Sequence, residues 1–148
     1  MSAPDTTATF PYEPTQDERT FATLAHALQM VGWWIAPLVI FIVKRQSKFV
    51  SFHALQALLL QIVWLMFWIA FMMVWFGAIF SVVLRQPPPT QPPAALFLLM
   101  PFIWLVWMGA WATILIIVIL YSIKAGRGEW ANYPLLGRLA RRILHLKR

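Results

Sequence analysis

The feature that most constrains this chain is a long run, Phe49 to Ile123, in which Arg85 is the single formally charged side chain. A soluble domain needs a charged exterior, and soluble proteins have about a quarter of their residues charged. Here only 11% of the residues are charged and 61% are hydrophobic. The chain is therefore predicted to be an integral membrane protein. Its 148 residues allow one compact membrane domain and no large soluble one.

Three apolar segments are each long enough to cross a membrane, which takes about 20 residues. A capping box from Thr15 to Glu18 predicts the start of the first helix, and Pro37 is expected to kink it. The proline-rich stretch 85–93 cannot continue a helix and is predicted to be a loop. The predicted fold is all-α, with a polar tail over residues 1–14 and a three-helix transmembrane domain over 15–124, its helices at about 16–43, 50–84 and 94–124.

The last part of the chain, residues 125–148, is predicted to be a basic tail at the membrane interface. Trp130 and Tyr133 are expected to be interfacial anchors. In the helix that follows, apolar and basic residues fall on opposite sides, which predicts an amphipathic helix lying on the membrane surface. Three arginines are expected to contact anionic lipid: Arg138, Arg141 and Arg142.

The distribution of Lys and Arg predicts the orientation. The first loop, with Lys44, Arg45 and Lys48, is basic, and so is the C-terminal tail. Three crossings would place both on one side, which the positive-inside rule makes cytoplasmic. The predicted location is the bacterial cytoplasmic (inner) membrane as a multi-pass protein, with the N-terminus outside and the C-terminus cytoplasmic.

Polar side chains recur at helical spacing within the predicted spans: His26, Gln29, His53, Gln56 and Gln61. They predict hydrogen bonds between helices. The alternative is that His26 or His53 is an axial ligand of a haem or pigment. One metal held by both histidines is not expected, because the predicted topology separates them by about 25 Å.

Tryptophans also recur at helical spacing along the two long helices. They form two stripes, with Trp64, Trp68 and Trp75 in the second helix and Trp104, Trp107 and Trp111 in the third. Aromatic stripes of this kind indicate helix packing. Packing against a pigment or a quinone ring is the alternative.

The sequence lacks the residue patterns of common active sites. It contains no cysteine, and no acidic or basic residue lies within the apolar stretches 20–43, 49–84 and 94–123, where ion-coupled transporters carry such groups. Phosphate-binding loops, nucleophile elbows and zinc signatures are also missing. The chain is therefore not expected to be an enzyme, and neither a metal site nor a cofactor is predicted.

Two stretches carry a family resemblance. The first consists of Asp17-Glu-Arg-Thr-Phe-Ala-Thr-Leu-Ala-His26, followed by Pro37-Leu-Val-Ile, Val43-Lys-Arg and Phe49-Val-Ser-Phe-His-Ala-Leu-Gln-Ala57. The second is Lys124-Ala-Gly-Arg-Gly-Glu-Trp-Ala-Asn-Tyr-Pro-Leu-Leu-Gly-Arg138. They resemble a widespread bacterial family of small helical membrane proteins without assigned function. That family is similar to the small channel-associated subunit of the chloroplast inner-envelope import translocon. The resemblance covers about residues 17–142 and implies a helical membrane protein, with protein transport as one expected role.

The leading hypothesis is a non-enzymatic accessory or scaffold subunit that packs against other integral membrane proteins or against copies of itself. One alternative is a subunit of an energy-converting complex that binds a pigment, haem or quinone. Another is a channel or protein-translocation component. Membrane lipid is an expected partner and nucleic acid is not, because the positive charge flanks apolar spans.

Overall fold

The computed structural model describes residues 12–84 and 94–145, the side chains of 94–97 excepted. Within these residues every regular element is an α-helix and there is no strand, which confirms the all-α part of the predicted fold class. The helices are α1 (Gln16–Ala27), α2 (Gln29–Gly32), α3 (Ile35–Val43), α4 (Lys48–Val83), α5 (Ala94–Gly126) and α6 (Leu136–Ile143). The predicted proline loop and most of the predicted polar tail lie outside the described residues.

Two helices, α4 and α5, are long and apolar enough to cross a membrane, and they are the two that qualify among the described residues. Ser47 begins α4, where its side chain accepts a hydrogen bond from the backbone N–H of Val50 at 3.2 Å. The 36 residues of α4 and the 33 of α5 give lengths of about 50 Å at 1.5 Å per residue. Both exceed the bilayer core of about 30 Å.

The segment predicted to be the first span, residues 16–43, is not one helix. It is divided into α1, α2 and α3, of which the longest has 12 residues and is about 18 Å long, too short to cross. Pro37 has no N–H for the carbonyl of Trp33, and Trp33 itself has a φ of 49° and a ψ of −134°. A Cβ on Gly32 would lie 2.8 Å from Cβ of Ala36, so the turn also requires glycine there.

Because of this turn, α1 and α3 form a hairpin that returns to the end where it began. Asp17 at the start of α1 pairs with Lys44 just after α3, with 2.6 Å between Oδ2 and Nζ. Thr23 in α1 contacts the backbone carbonyl of Ser122 near the end of α5 at 3.4 Å. The described residues therefore do not support a third span, and they place the start of α1 at the same end as α6 rather than opposite to it.

The buried core lies at this end, which we call the basal end: α1, α3, α6, the first turns of α4 and the last turns of α5. The buried residues of α4 all fall between Phe49 and Leu60. We call residues 62–83 of α4 and 98–113 of α5 the distal halves. Their large apolar side chains are mostly half-buried or exposed. Packing within the protein thus holds the basal end together and leaves much of the apolar surface of the distal halves uncovered.

Candidate functional site

A chain of three buried side chains crosses the core of the basal end. His26 in α1 has its Nε2 3.0 Å from Nδ1 of His53 in α4, and its Nδ1 lies 2.9 Å from the hydroxyl of Tyr133. The Nε2 of His53 is 3.1 Å from the backbone carbonyl of Glu129. The chain therefore joins α1 and α4 to the segment that leads from α5 to α6.

The partners of this chain fix where its protons lie. A carbonyl oxygen only accepts hydrogen bonds, so Nε2 of His53 must donate to Glu129. In a neutral ring the Nδ1 of His53 then accepts from Nε2–H of His26, and Nδ1 of His26 accepts from the hydroxyl of Tyr133. Burial, and next the neighbouring His53, hold the pKa of His26 well below its usual range. The neutral, one-directional arrangement is therefore the stable one.

This geometry corrects the expected separation of the two histidines. They were expected about 25 Å apart because residues 16–43 were predicted to cross the membrane in one helix. The hairpin instead returns α1 to the start of α4, so the rings of His26 and His53 touch, with 5.2 Å between their centroids. All four of their ring nitrogens have protein partners, so neither ring presents a free nitrogen to a haem or pigment metal.

Gln56, one turn after His53, binds the backbone of the same connecting segment at two points. Its Nε2 donates to the carbonyl of Ala131 at 3.2 Å, and its Oε1 accepts from the N–H of Tyr133 at 2.7 Å. Gly137 allows this close approach, because a Cβ there would lie 2.6 Å from Cβ of Asn132 and 3.0 Å from Oε1 of Gln56. A single buried carboxamide thus fixes the position of an irregular segment whose backbone groups would otherwise be unpaired.

The other two glutamines lie at the hairpin turn. Gln61 Nε2 donates to the backbone carbonyl of Gln29 at 3.2 Å, near the break at Trp33. The last carbonyls of a helix have no hydrogen-bond partner within the helix. The side chain of Gln61 in α4 supplies such a partner for the carbonyl of Gln29. The side chain of Gln29 is buried, and its Nε2 has no hydrogen-bond partner among the described residues.

A second, charged contact closes the open end of the hairpin. The carboxylate of Glu18 accepts hydrogen bonds from Tyr12, from the backbone and side chain of Thr15, and from the hydroxyl of Ser47 at 2.7 Å. Partial burial would raise the pKa of Glu18, but the hydrogen bonds from Tyr12, Ser47 and Thr15 outweigh it and lower the pKa to about 2. Glu18 is therefore a carboxylate at any ordinary pH and holds α1 to the start of α4.

The tryptophan stripes meet where the two long helices face each other, and they are unequally buried. Trp64 of α4 packs on Trp107 of α5 with 5.3 Å between ring centroids, and Trp111 lies edge-on to Trp64 at 5.6 Å. Trp75, Trp104 and Trp107 line a cleft of about 290 Å³ between the distal halves. Trp68, Trp104 and Trp111 leave much of their surface exposed.

The family to which this chain is similar matches almost all of these elements. A family model described as the magnetosome magnetite crystal formation protein family matches residues 17–140. This chain belongs to that family. The match contains the hairpin, both long helices and the segment that ends in α6, and no link to the chloroplast translocon subunit is shown. Searches of curated proteins and of solved structures find no match for this magnetosome-family chain.

The three arginines of α6 in this magnetosome-family protein have different surroundings. The Nε of Arg141 donates to Oδ1 of Asn132 at 2.7 Å, and its guanidinium carbon lies 5.1 Å from the ring centroid of Phe52. Arg138 and Arg142 are exposed. Contact of these arginines with anionic lipid stays a prediction, and Arg141 differs from the other two in having partners within the protein.

The arrangement is suited to holding and orienting helices. Among residues 12–84 and 94–145 no group of three or more His, Asp or Glu side chains is placed to hold a metal ion. The two most buried histidines bond to each other, to a tyrosine and to a carbonyl. Such a network stabilises and specifies a packing arrangement when every member is satisfied.

Sequence reasoning did not identify the residues of the connecting segment that complete the network. Tyr133 was expected at the membrane interface, yet it is 2% exposed and bonds to His26. Glu129 takes part through its backbone carbonyl, which no side-chain pattern reveals. The available signal was the non-helical stretch Glu129 to Tyr133, which follows the Gly126 and Gly128 helix stop and needs partners for its backbone groups.

Proposed function

We propose that this protein is a non-enzymatic accessory or scaffold protein of the magnetosome membrane, which influences magnetite crystal formation by packing against partner membrane proteins. Its membership of the magnetosome magnetite crystal formation family supplies the process. The observation that carries the mode of action is the surface of the distal halves. They present large apolar side chains without any charged residue from Phe49 to Leu84 or from Ala94 to Ile123.

The distribution of carboxylates supports an indirect role. Iron ions that supply a growing oxide are bound well by carboxylates and by combinations of His with carboxylate. Residues 19–128 contain no Asp or Glu, and Asp17 and Glu18 are engaged by Lys44 and Ser47 at the basal end. We infer that this chain acts through other proteins rather than by coordinating iron itself.

The orientation that we propose for the protein in the membrane follows from the positive charge of the basal end. The basal end carries the basic first loop and α6, and the positive-inside rule would place it on the cytoplasmic side. The start of α1 then lies on that side too, because Asp17 pairs with Lys44. The ends of α4 and α5 that are far from the basal end would face the opposite compartment.

The distal surface is suited to protein partners because it is aromatic and uneven. Trp104 is 60% exposed and borders the cleft of about 290 Å³ between the distal halves. In lipid there is no hydrophobic driving force between helices, so their association depends on close complementary packing. A cleft lined by indole rings offers a surface on which a side chain of a neighbouring helix can pack. An exposed tryptophan in this position is therefore a contact residue for a neighbouring helix.

The test is a pair of substitutions that keep the distal surface apolar but replace two indole side chains with smaller ones, which changes the shape of the surface. Trp68→Leu with Trp104→Leu should reduce the amount of partner membrane protein that co-purifies in mild detergent from cells that form magnetite. It should also change crystal size in electron micrographs. Trp34→Leu, an exposed position at the hairpin turn, is the matched control and should change neither. A wild-type protein that purifies as a lone monomer, together with unchanged crystals in a deletion strain, would refute the proposal.

A further inference from the structure

Helix α6 uses its smallest residues, rather than its apolar stripe, to pack against the protein. Gly137 and Ala140 are buried against α4 and the connecting segment. Leu135, Leu139 and Ile143 are 79%, 44% and 49% exposed. Their spacing of four residues places them on one face of the helix. A continuous apolar stripe of α6 is therefore not covered by any part of the protein that the structure describes.

The stripe is flanked by the two arginines that the protein does not use. Arg138 and Arg142 are also four residues apart, so they form a parallel row on the exposed surface. Arg141, in contrast, is held by Asn132 and Phe52. An apolar row beside a row of free cations is the pattern of a helix that lies in a membrane interface.

The apolar stripe continues into the surface of the spanning helices. Leu135 and Leu136 share an apolar cleft of about 180 Å³ with Leu60 of α4 and Ile117 of α5. The latter two belong to the helices that are able to span a membrane. The stripe of α6 thus begins beside the two helices that are long and apolar enough to span a membrane. Lys124, whose Nζ lies 5.5 Å from the ring centroid of Tyr121, adds a cation to the end of α5.

The charge around α6 identifies which surface covers it. From Trp130 to Arg148 the sequence contains no Asp or Glu, so the helix is complementary to an anionic surface. The leaflet that surrounds the spanning pair is such a surface when it contains anionic phospholipid. A cationic second copy of the same helix would be repelled.

We propose that α6 lies in the interface of an anionic leaflet, with Leu135, Leu139 and Ile143 inserted among the lipids and Arg138 and Arg142 at their phosphates. Arg141 has a different role and holds α6 against the rest of the protein. This division among three neighbouring arginines follows from the structure and not from the helical pattern of the sequence. It concerns membrane attachment and does not depend on the proposed role in crystal formation.

The chain has no cysteine, so one introduced thiol reports on one position. Leu139→Cys, labelled with an environment-sensitive fluorophore, is reconstituted in nanodiscs of phosphatidylcholine with and without phosphatidylglycerol. Quenching of the label by aqueous iodide should fall when phosphatidylglycerol is present, and raised salt should reverse much of that fall. A label on Thr20→Cys, an exposed position of α1, should show no such dependence.

The arginine variants separate the two roles. Arg138→Gln with Arg142→Gln should abolish the dependence on phosphatidylglycerol while circular dichroism and thermal unfolding stay unchanged. Arg141→Gln should lower the unfolding temperature and keep the dependence. The proposal is overturned if iodide quenching is the same in both nanodiscs. It is equally overturned if the label is protected only at high protein concentration, which would indicate a second copy, or only when another protein is added.

Discussion

Replacing Gln56 with methionine tests the central claim that one carboxamide positions the segment between α5 and α6. Methionine has a similar length and flexibility and fits an apolar site without a large change of shape. The substitution removes both hydrogen bonds, at 3.2 Å to the carbonyl of Ala131 and at 2.7 Å from the N–H of Tyr133. Because Tyr133 is buried, water cannot replace the lost partner of its N–H.

The expected cost follows from the number of polar groups left without partners. Leaving a buried donor or acceptor unsatisfied costs about 1–3 kcal/mol. Ala131 is only half-buried, so water can partly replace the lost partner of its carbonyl. The two unsatisfied groups together are therefore expected to lower the free energy of unfolding by about 2–4 kcal/mol. This is a large part of the total stability of a small protein, which is about 5–15 kcal/mol.

The assay combines unfolding with local exchange. Thermal unfolding in detergent, followed by tryptophan fluorescence, gives the loss of stability, and hydrogen–deuterium exchange of residues 129–136 gives its location. Gln61→Met is the matched control, since it removes one well-formed hydrogen bond, at 3.2 Å, from a half-buried side chain. It should cost less and leave exchange at Tyr133 unchanged. The reasoning fails if Gln56→Met is no more destabilising than Gln61→Met, or if the exchange of the Tyr133 amide does not accelerate.

Three further predictions concern single positions. Trp33→Gly should be more stable than Trp33→Ala by about 1 kcal/mol, because a positive φ strains any residue with a Cβ; equal unfolding temperatures would contradict the strain. Gly137→Ala should displace α6, since its Cβ would meet Asn132 at 2.6 Å, whereas Gly109→Ala, with nothing within 4 Å, should leave the unfolding temperature unchanged or higher. Because the pKa of Glu18 is lowered in the folded protein from its usual 4.5 to about 2, its stabilising effect is complete above pH 4.5 and is lost as the pH falls towards 2. The difference in stability between wild type and Glu18→Gln should therefore persist from pH 7 to 5 and shrink below that, and a difference that shrinks between pH 7 and 5 would exclude this origin.

The sequence was informative wherever a long apolar pattern determined the local structure. The run from Phe49 to Ile123, with Arg85 as its single charge, predicted membrane insertion, and the capping box Thr15–Glu18 is present as expected. The start and end of α4 lie within two residues of the predicted 50–84. These features depend on residues close together in the chain, so periodicity and capping rules are sufficient to find them.

The hairpin was not predicted, because several residues together cause the turn and the residues that stabilise it are far apart in the sequence. The sequence alone indicates a kink at Pro37, which is the usual effect of proline within a long apolar helix. The structure shows a reversal that also needs Gly32 and a strained Trp33. Its return is stabilised by Asp17 with Lys44, a pair that has no local signature. The network of His26, His53 and Tyr133 could not be predicted without the hairpin, since it exists only when α1 lies beside the start of α4.

The concentration of packing at the basal end has a consequence for how the sequence of such a protein can vary. At the basal end, a change of one methyl group meets a neighbour, as the 2.6 Å approach at Gly137 shows. In the distal halves, Gly77 and Gly109 have nothing within 4 Å of an added Cβ, so most apolar replacements there should leave the fold intact. Tolerance to substitution should therefore rise steeply along the axis of α4 and α5. New partners can be acquired at the distal end by mutation without disturbing the part that folds.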